Sequence, residues 1–150
     1  MFARPHGLIC IILAFTICVV RNTAATKLSP DVTALWNLRG MAKCKLHLNA
    51  LAYNNYGCWC GVGGCCKPID PIDDCCMHHD KCYEAAAAEG KCYRFPFAYF
   101  DPYAWRCDHG TIICGDNRSP CKAALCACDS AVVNCWARYH RPLGKPRCRH

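Results

Sequence analysis

Residues 56–64 read Tyr-Gly-Cys-Trp-Cys-Gly-Val-Gly-Gly, and residues 75–83 read Cys-Cys-Met-His-His-Asp-Lys-Cys-Tyr. The first stretch is a glycine-rich loop, and the second places a histidine directly before an aspartate. Backbone carbonyls together with one carboxylate are oxygen ligands that suit a hard cation such as calcium. A histidine beside that cation can accept a proton from a water molecule. The two stretches therefore predict a cation site next to a water-activating histidine.

The cysteine content indicates the class of protein around this site. The chain has 150 residues, which suits one domain, and 18 of them are cysteine. So many cysteines in a short chain indicate a disulfide scaffold that forms in an oxidising compartment. A zinc protein is the alternative, but the Cys-x-x-Cys spacing that zinc sites favour does not occur in the sequence.

The N-terminal segment has the features of a secretory signal peptide. Arg4 provides a positive charge, and residues 8–20 form an apolar run of 13 residues followed by small ones. This run is too short to span a bilayer comfortably, although a signal anchor is the alternative reading. We therefore expect a signal peptide at 1–25, a short lead-in or propeptide at 26–33, one domain at 34–150, and an extracellular location.

Removing the signal peptide changes the cysteine count and the charge. Cys10 and Cys18 leave with it, so 16 cysteines remain, an even number that allows eight bridges. Arg4 and Arg21 leave as well, so 16 basic residues stand against 11 acidic ones and the net charge is +5. A basic secreted protein is attracted to anionic surfaces, although a moderate charge can also simply keep a protein soluble.

Two helices are predicted from their capping residues. Asp70 is a suitable N-cap, and Pro71 suits the first helical position, so the first helix should run from Pro71 through Ala88 and end near Gly90. Asp73 and Asp74 favour its positive N-terminal end. The second helix should begin after Ser119, with Pro120 in its first turn, and run towards Arg138.

Each predicted helix contains two cysteines seven residues apart, Cys75 and Cys82 on the first and Cys128 and Cys135 on the second. Residues seven apart share one helix face. If the helices are antiparallel, Cys75 can face Cys135 while Cys82 faces Cys128, although spacing alone leaves other connectivities open. Such a pair of bridges would bring His79 close to Asp129.

The two quoted stretches resemble the secreted phospholipase A2 family. Its pattern runs Tyr-Gly-Cys-Tyr-Cys-Gly-x-Gly-Gly and then Cys-Cys-x-x-His-Asp-x-Cys-Tyr, and the match fails only where Trp59 replaces a tyrosine. Residues 34–41 resemble the N-terminal helix of the pancreatic and elapid-venom (group I-like) branch, with Leu35, Leu38 and Met41 at helical spacing. The resemblance spans roughly residues 34–148.

The resemblance implies a mainly α fold held by disulfides. It implies an N-terminal helix, a calcium loop, two antiparallel disulfide-linked helices and a small two-stranded β-wing, which we place near residues 104–114. It implies the Cys75–Cys135 and Cys82–Cys128 bridges considered above. It also implies five further bridges, Cys44–Cys107, Cys58–Cys148, Cys60–Cys76, Cys92–Cys121 and Cys114–Cys126.

The resemblance also implies the site residues and the reaction. One calcium ion per chain would be held by the carbonyls of Trp59, Gly61 and Gly63 and by the carboxylate of Asp80. Gly61 and Gly63 can adopt backbone angles that let their carbonyls converge, and a carbonyl ligand survives the change to tryptophan at 59. His79 would take a proton from the water that attacks the sn-2 ester of a glycerophospholipid.

Further residues complete the implied machinery. Asp129 would fix the tautomer of His79, and Tyr83 and Tyr103 would donate hydrogen bonds to Asp129. His78 would face away from the site. The predicted products are a free fatty acid and a lysophospholipid. The alternative function is that of a non-catalytic phospholipase A2-like receptor ligand, toxin or matrix protein, whose usual sign is replacement at the places of His79 or Asp80.

Cys65 and Cys66 are left over once the seven implied bridges are assigned. They lie in the predicted calcium loop, where family members usually have small residues, often glycine at the place of Cys66. A vicinal disulfide between the two is the interpretation that we favour, because no further unpaired cysteine remains. The alternative is that one or both cysteines form a bridge to a partner chain. The protein would then be a covalent dimer and not the expected monomer.

The expected partner is the surface of a phospholipid membrane or micelle, in particular an anionic one, and we expect no nucleic-acid partner. Besides the charge, aromatic residues are dense between Cys92 and Cys107, notably in Phe95–Phe100. They suit contact with lipid, although packing in the core or in a hairpin is the alternative. A glycosylation sequon at Asn117 is expected to be little used, because Ser119 should cap a helix.

Overall fold

The computed structural model describes residues 33–93 and 101–148. The elements are α1 (Thr33–Leu46), a short 3-10 helix (Ala50–Ala52), α2 (Pro71–Ala88), β1 (Trp105–Asp108), β2 (Thr111–Cys114) and α3 (Pro120–Trp136). The expected signal peptide and the Phe95–Phe100 segment lie outside the described residues. No helix within the described ranges is both long and apolar enough to cross a membrane.

Helix α2 begins and ends where its capping residues predict. The side chain of Asp70 accepts hydrogen bonds from the backbone N–H groups of Ile72 and Asp73, both at 2.9 Å, and so satisfies two of the free donors of the first turn. At the other end, Gly90 adopts a φ of +71°, and the backbone N–H of Lys91 donates to Ala86 at 3.0 Å. The predicted helix from Pro71 through Ala88 is confirmed.

Helix α3 begins at Pro120 as predicted, but the capping role expected of Ser119 is wrong in its detail. Ser119 occupies the N-cap position, yet its side chain makes no capping hydrogen bond. The neighbouring Asn117 instead holds the segment before the helix, because its side chain exchanges hydrogen bonds with the backbone N–H and C=O of Ala104 at 2.7 and 3.0 Å. Its amide nitrogen also donates to Gly115, so this nitrogen is already engaged inside the protein.

Helices α2 and α3 form the antiparallel pair that the cysteine spacing predicts. Cys75 is bonded to Cys135 and Cys82 to Cys128, so the pairing that spacing left open is settled. The hydrophobic core lies along α3, where Leu125, Val133 and Cys126 are fully buried. The two bridges fix both the distance and the register of the helices, which decides where residues 79 and 129 meet.

Helix α1 packs against α3 with part of its predicted apolar face. Met41 is fully buried and Leu38 packs against the core, but Leu35 is 53% exposed. Leu35 therefore continues the apolar face of the helix outside its buried part. It lies in the first turn of the helix, where the core ends and the side chain extends into solvent.

Strands β1 and β2 form the predicted β-wing. They are antiparallel, and Trp105 pairs with Cys114 while Asp108 pairs with Thr111. Cys107 on β1 is bonded to Cys44 on α1, and Cys114 at the end of β2 is bonded to Cys126 on α3. The wing is therefore attached to two helices and not only to its own hairpin turn.

Seven disulfides are present among the described residues, and they are the seven that the resemblance implies. Cys65 and Cys66 are unbridged, with their Sγ atoms 2.9 Å apart. The vicinal disulfide favoured from the cysteine count is therefore not formed in this structure. The bond length of a disulfide is about 2.0 Å, so the two sulfurs are adjacent thiols here.

Candidate active site

His79 and Asp129 form a direct contact between the two disulfide-linked helices. His79 Nε2 lies 2.6 Å from Asp129 Oδ1, and the Asp129 side chain is only 1% exposed. The hydroxyl of Tyr83 donates to the same carboxylate at 2.9 Å, and the hydroxyl of Tyr103 donates to its other oxygen. A buried carboxylate needs such donors to remain charged. The structure therefore brings together all four residues that were predicted to act as a group.

The opposite nitrogen of the same imidazole faces the proposed cation ligand. His79 Nδ1 lies 3.8 Å from Asp80 Oδ1, and the side chains are 11% and 17% exposed. The adjacent His78 is directed away from this group, since its side chain is 68% exposed and lies 3.4 Å from Asp74 one turn earlier. One of two adjacent histidines is thus selected by its position on the helix.

The two carboxylates determine the protonation of His79. Burial opposes the charged imidazolium, but the hydrogen bond to Asp129, the polar contact with Asp80 and the negative charges of both outweigh it, and the pKa of His79 is raised to about 9. Burial also raises the pKa of Tyr103, and the charge of Asp129 adds to this effect, so its phenol stays protonated as a donor. Asp129 is therefore the acceptor, and the imidazole of His79 and the phenol of Tyr103 are donors to it.

The glycine-rich loop, residues 56–69, is held by a buried carboxylate that the sequence analysis did not identify. Asp73 is completely buried and accepts hydrogen bonds from the backbone N–H groups of Cys58, Trp59 and Ile69 at 2.9, 2.8 and 3.0 Å. Asp73 was read only as an acid that favours a helix N-terminus. Its neighbour Asp74 has the same local pattern, so the burial that separates their roles was the missing signal.

Gly57 explains why the loop can approach this carboxylate so closely. Its φ is +61°, and a β-carbon at this position would overlap the carboxylate of Asp73. Any other residue would therefore meet both an unfavourable backbone angle and a steric clash. Gly63 has a φ of +71° with open space around it, so its requirement is conformational only.

Trp59, the one departure from the quoted family pattern, braces the distal half of the loop. Its indole N–H donates to the carbonyl of Cys66 at 3.0 Å, and its ring packs on Gly64, where a β-carbon would overlap the indole. The ammonium of Lys81 on α2 lies 5.9 Å from the ring centroid. The tryptophan thus links residues 64–66 of the loop to the first residues of the same loop.

The C-terminal segment closes the base of the loop. The backbone N–H of Gly57 donates to Pro146 at 2.7 Å, and the N–H of Cys148 donates back to Gly57 at 3.1 Å. Cys148 is also bonded to Cys58. The ammonium of Lys145 donates to the carbonyls of Leu51 and Asn54, at 3.0 and 2.8 Å, just before the loop begins.

The predicted ligand set is chemically suited to calcium. Among the described residues, the Asp80 carboxylate has one polar contact, with His79 at 3.8 Å, although its side chain is only 17% exposed. A mostly buried carboxylate with so few polar contacts suits a position beside a cation, which would neutralise its charge. Trp59, Gly61 and Gly63 can add the hard carbonyl oxygens that calcium takes.

The chain is similar in sequence to known phospholipases A2. A family model described as Phospholipase A2 matches residues 35–144. The chain is 35% identical over 136 residues to a phospholipase A2 of Oryctolagus cuniculus. The matched region covers 89% of this chain and 92% of that protein. The chain is 36% identical to phospholipase A2 OS1 of Oxyuranus scutellatus scutellatus, and the matched region covers 85% of this chain and 84% of that protein. A phospholipase A2 of Bos taurus is also 36% identical, and the matched region covers 77% of this chain and 85% of that protein.

These relatives come from mammals and a venomous snake, which agrees with the branch expected from residues 34–41. The family model begins inside α1 and ends in the C-terminal segment, and so it includes both helices of the disulfide-linked pair and the glycine-rich loop. The β-wing and the seven disulfides agree with the fold that the resemblance implied. This chain belongs to the phospholipase A2 family.

Proposed function

We infer that this phospholipase A2 hydrolyses the sn-2 ester of glycerophospholipids with one calcium ion per chain, releasing a fatty acid and a lysophospholipid. The observation that supports this most strongly is the placement of His79 between two carboxylates. Asp129 lies on its Nε2 side at 2.6 Å and Asp80 on its Nδ1 side at 3.8 Å. One carboxylate can orient the imidazole while the other can hold a cation.

His79 serves as the general base in this proposal. Its Nε2–H donates to Asp129, because that carboxylate already accepts hydrogen bonds from Tyr83 and Tyr103 and has no proton to give. The lone pair of the neutral ring is then on Nδ1, on the side of Asp80. Nδ1 takes a proton from water as the water oxygen attacks the ester carbonyl carbon. The same proton then passes to the departing alcohol oxygen of the lysophospholipid.

The ligands proposed for calcium are the carbonyls of Trp59, Gly61 and Gly63 and the carboxylate of Asp80. When bound, the cation supplies Lewis acidity toward the ester carbonyl and the phosphate, and its positive charge favours the neutral form of His79. Asp73 contributes by holding the backbone of residues 58 and 59, which fixes the direction of the loop carbonyls. No observation favours the non-catalytic alternative, since both His79 and Asp80 are present.

The surface of an aggregated, anionic phospholipid is the proposed partner, and the protein acts on it as a monomer. Exposed apolar side chains are available for it, including Leu35, Trp36 and Val62, the last of which is 87% exposed. Basic residues near the C-terminus, Arg138, Arg141 and Arg147, add about 1 kcal/mol each near an anionic surface. The small disulfide-rich fold and the expected signal peptide support an extracellular location.

A hydrolysis assay on vesicles tests the reaction and the metal together. Mixed phosphatidylglycerol and phosphatidylcholine vesicles labelled in the sn-2 chain should release labelled fatty acid when calcium is present and none in excess chelator. The Asp80→Lys variant should lose both calcium binding, measured by calorimetry, and activity, because an ammonium would occupy the position of the ion. Full activity of the wild-type protein in excess chelator would contradict the proposal.

The same assay tests the partner. Rates on anionic vesicles at low salt should exceed those on purely zwitterionic vesicles, and the difference should shrink as salt is added, because salt screens surface charge. Equal rates on the two kinds of vesicle at low salt would contradict the role given to the basic residues.

A further inference from the structure

Cys65 and Cys66, called here the dithiol pair, are the two unbridged cysteines of the described chain. Both are exposed, and their Sγ atoms lie 2.9 Å apart, within reach of bond formation without a large movement of the loop. The other described cysteines are all in disulfides. Neither thiol takes part in the seven bridges of the described fold.

The backbone at Cys66 is in an unusual conformation that keeps the pair together. Its φ is +71°, in the left-handed region, which is unfavourable for a residue with a β-carbon. The hydrogen bond from the Trp59 indole to the Cys66 carbonyl holds this conformation. Backbone strain at an exposed side chain is a reason to look for a function of that side chain.

A cavity of about 440 Å³ lies beside one member of the pair. Cys66 lines it, together with Lys67, Arg147 and the Cys58–Cys148 disulfide, whereas Cys65 is not among its lining residues. Neither Lys67 nor Arg147 has a carboxylate partner in the described part of the chain, so both positive charges are available to a ligand. The cavity therefore combines an accessible thiol with two free cations, which suits a small molecule that is anionic and contains sulfur.

We propose that the dithiol pair is a thiol–disulfide exchange site for small anionic disulfides, in which Cys66 reacts first and Cys65 resolves. The Cys66 thiolate attacks one sulfur of the disulfide, a mixed disulfide forms at Cys66, and the first small thiol leaves with a proton. Cys65 then attacks the Cys66 sulfur, a Cys65–Cys66 bond forms, and the second small thiol leaves. The pair loses two hydrogens, and the small disulfide gains them.

The reverse reaction is equally available, because adjacent residues have Cα atoms about 3.8 Å apart, closer than the usual separation in a disulfide. Such a bond is strained and is readily reduced by small thiols. The pair is therefore a reversible couple. A soft-metal site is the less favoured use of these sulfurs. The Sγ atoms of Cys65, Cys66 and Cys148 lie within 4.8 Å of one another, but the third is already bonded to Cys58.

The test uses glutathione disulfide as the probe and protein with a reduced dithiol pair. The wild-type chain should release two equivalents of glutathione, lose two hydrogens by mass spectrometry, and yield a Cys65–Cys66 peptide with the seven other bridges unchanged. The Cys65→Ser variant should instead retain one glutathione on Cys66, because no resolving thiol remains. Absence of reaction, or a stable adduct on the wild-type protein, would overturn the proposal.

Matched variants test the order of attack and the charges. Cys66→Ser should react at least about tenfold more slowly than Cys65→Ser, because Cys66 is the thiol that lines the cavity. Lys67→Glu combined with Arg147→Glu should slow the reaction with glutathione disulfide about tenfold more than the reaction with neutral hydroxyethyl disulfide, because only the first disulfide is anionic. Equal rates for the two single cysteine variants would overturn the order. A new disulfide between Cys65 or Cys66 and Cys148 would overturn the proposal, because it would show that the pair exchanges with the Cys58–Cys148 bridge and not with a small disulfide. These readouts do not depend on lipid hydrolysis.

Discussion

The helix pair and the glycine-rich loop position their functional groups in different ways. In the helix pair, side chains act directly, and two disulfides and a buried carboxylate with three donors hold them. In the loop, backbone carbonyls are the proposed ligands, and the side chains of Asp73 and Trp59 hold the backbone that presents them. A substitution in the helix pair should therefore remove chemistry, whereas one in the loop should loosen geometry.

The largest effect is expected for the base in the helix pair. His79→Gln should lower kcat by about 10²–10⁴-fold, because glutamine cannot accept the proton from water, while circular dichroism and disulfide mapping remain as in the wild-type protein. His78→Gln is the matched control and should leave kcat nearly unchanged, since its side chain points to solvent. Near-native turnover of His79→Gln on labelled vesicles would contradict the general-base assignment.

The second prediction concerns how pH acts on the helix pair without calcium. The pKa of His79 is about 9 in the folded protein, above the usual value of about 6.5, so the charged ring stabilises the fold. That contribution is fully present below pH 6.5 and is lost as pH rises through 9, and it amounts to at most about 3 kcal/mol.

The contribution of the charged His79 ring is measured by denaturant unfolding in the presence of chelator, with the dithiol pair alkylated. The stability difference between the wild-type protein and His79→Gln should shrink between pH 6.5 and pH 9. A difference that does not change over this interval would show that the two carboxylates do not hold a charged imidazole.

A smaller effect is expected for the carboxylate under the loop. Asp73→Asn should reduce the free energy of unfolding by about 2 kcal/mol, because hydrogen bonds to a charged acceptor become bonds to a neutral one. Calcium affinity should fall with it, while kcat at saturating calcium changes less than it does for His79→Gln. Asp74→Asn is the control, since Asp74 has the same position in the first turn without the buried contacts. If the two variants bind calcium equally well, Asp73 does not position the loop.

The smallest effect is expected for the departure from the family pattern. Trp59→Tyr keeps the proposed carbonyl ligand, so calcium affinity should change by less than about tenfold. The substitution removes the hydrogen bond to Cys66 and the packing on Gly64, so residues 64–66 should exchange amide hydrogens faster. A complete loss of calcium binding would show that the indole has a larger role than bracing the loop.

The comparison of the two regions also explains what the sequence could predict. The helix pair was predictable because caps, proline and cysteines at a spacing of seven leave a one-dimensional signal, and the observed bounds of α2 agree with it. The quoted motif placed His79 and Asp80, and the resemblance supplied Asp129 and the two tyrosines. The hydrogen bonds that hold the loop could not be predicted, because they depend on whether Asp73 or Asp74 is the buried acid.

The errors follow the same division. Asp73 and Asp74 are adjacent and chemically identical, and only the path of the loop over α2 buries the first. Ser119 has the right residue type for a capping hydrogen bond, but Asn117 already fixes the preceding segment to Ala104. Each error concerns a tertiary contact that local pattern does not encode.

The attachment of the C-terminal segment to Gly57 has a consequence for the order in which the protein is made. The helix pair can close once Cys135 has been synthesised, since both of its bridges lie before that point. The glycine-rich loop cannot take its final form until Pro146 and Cys148 have emerged, because they bond the loop at its base. A chain of this design can complete its helix pair before its glycine-rich loop, because the loop depends on residues 146–148, which follow the pair in the sequence.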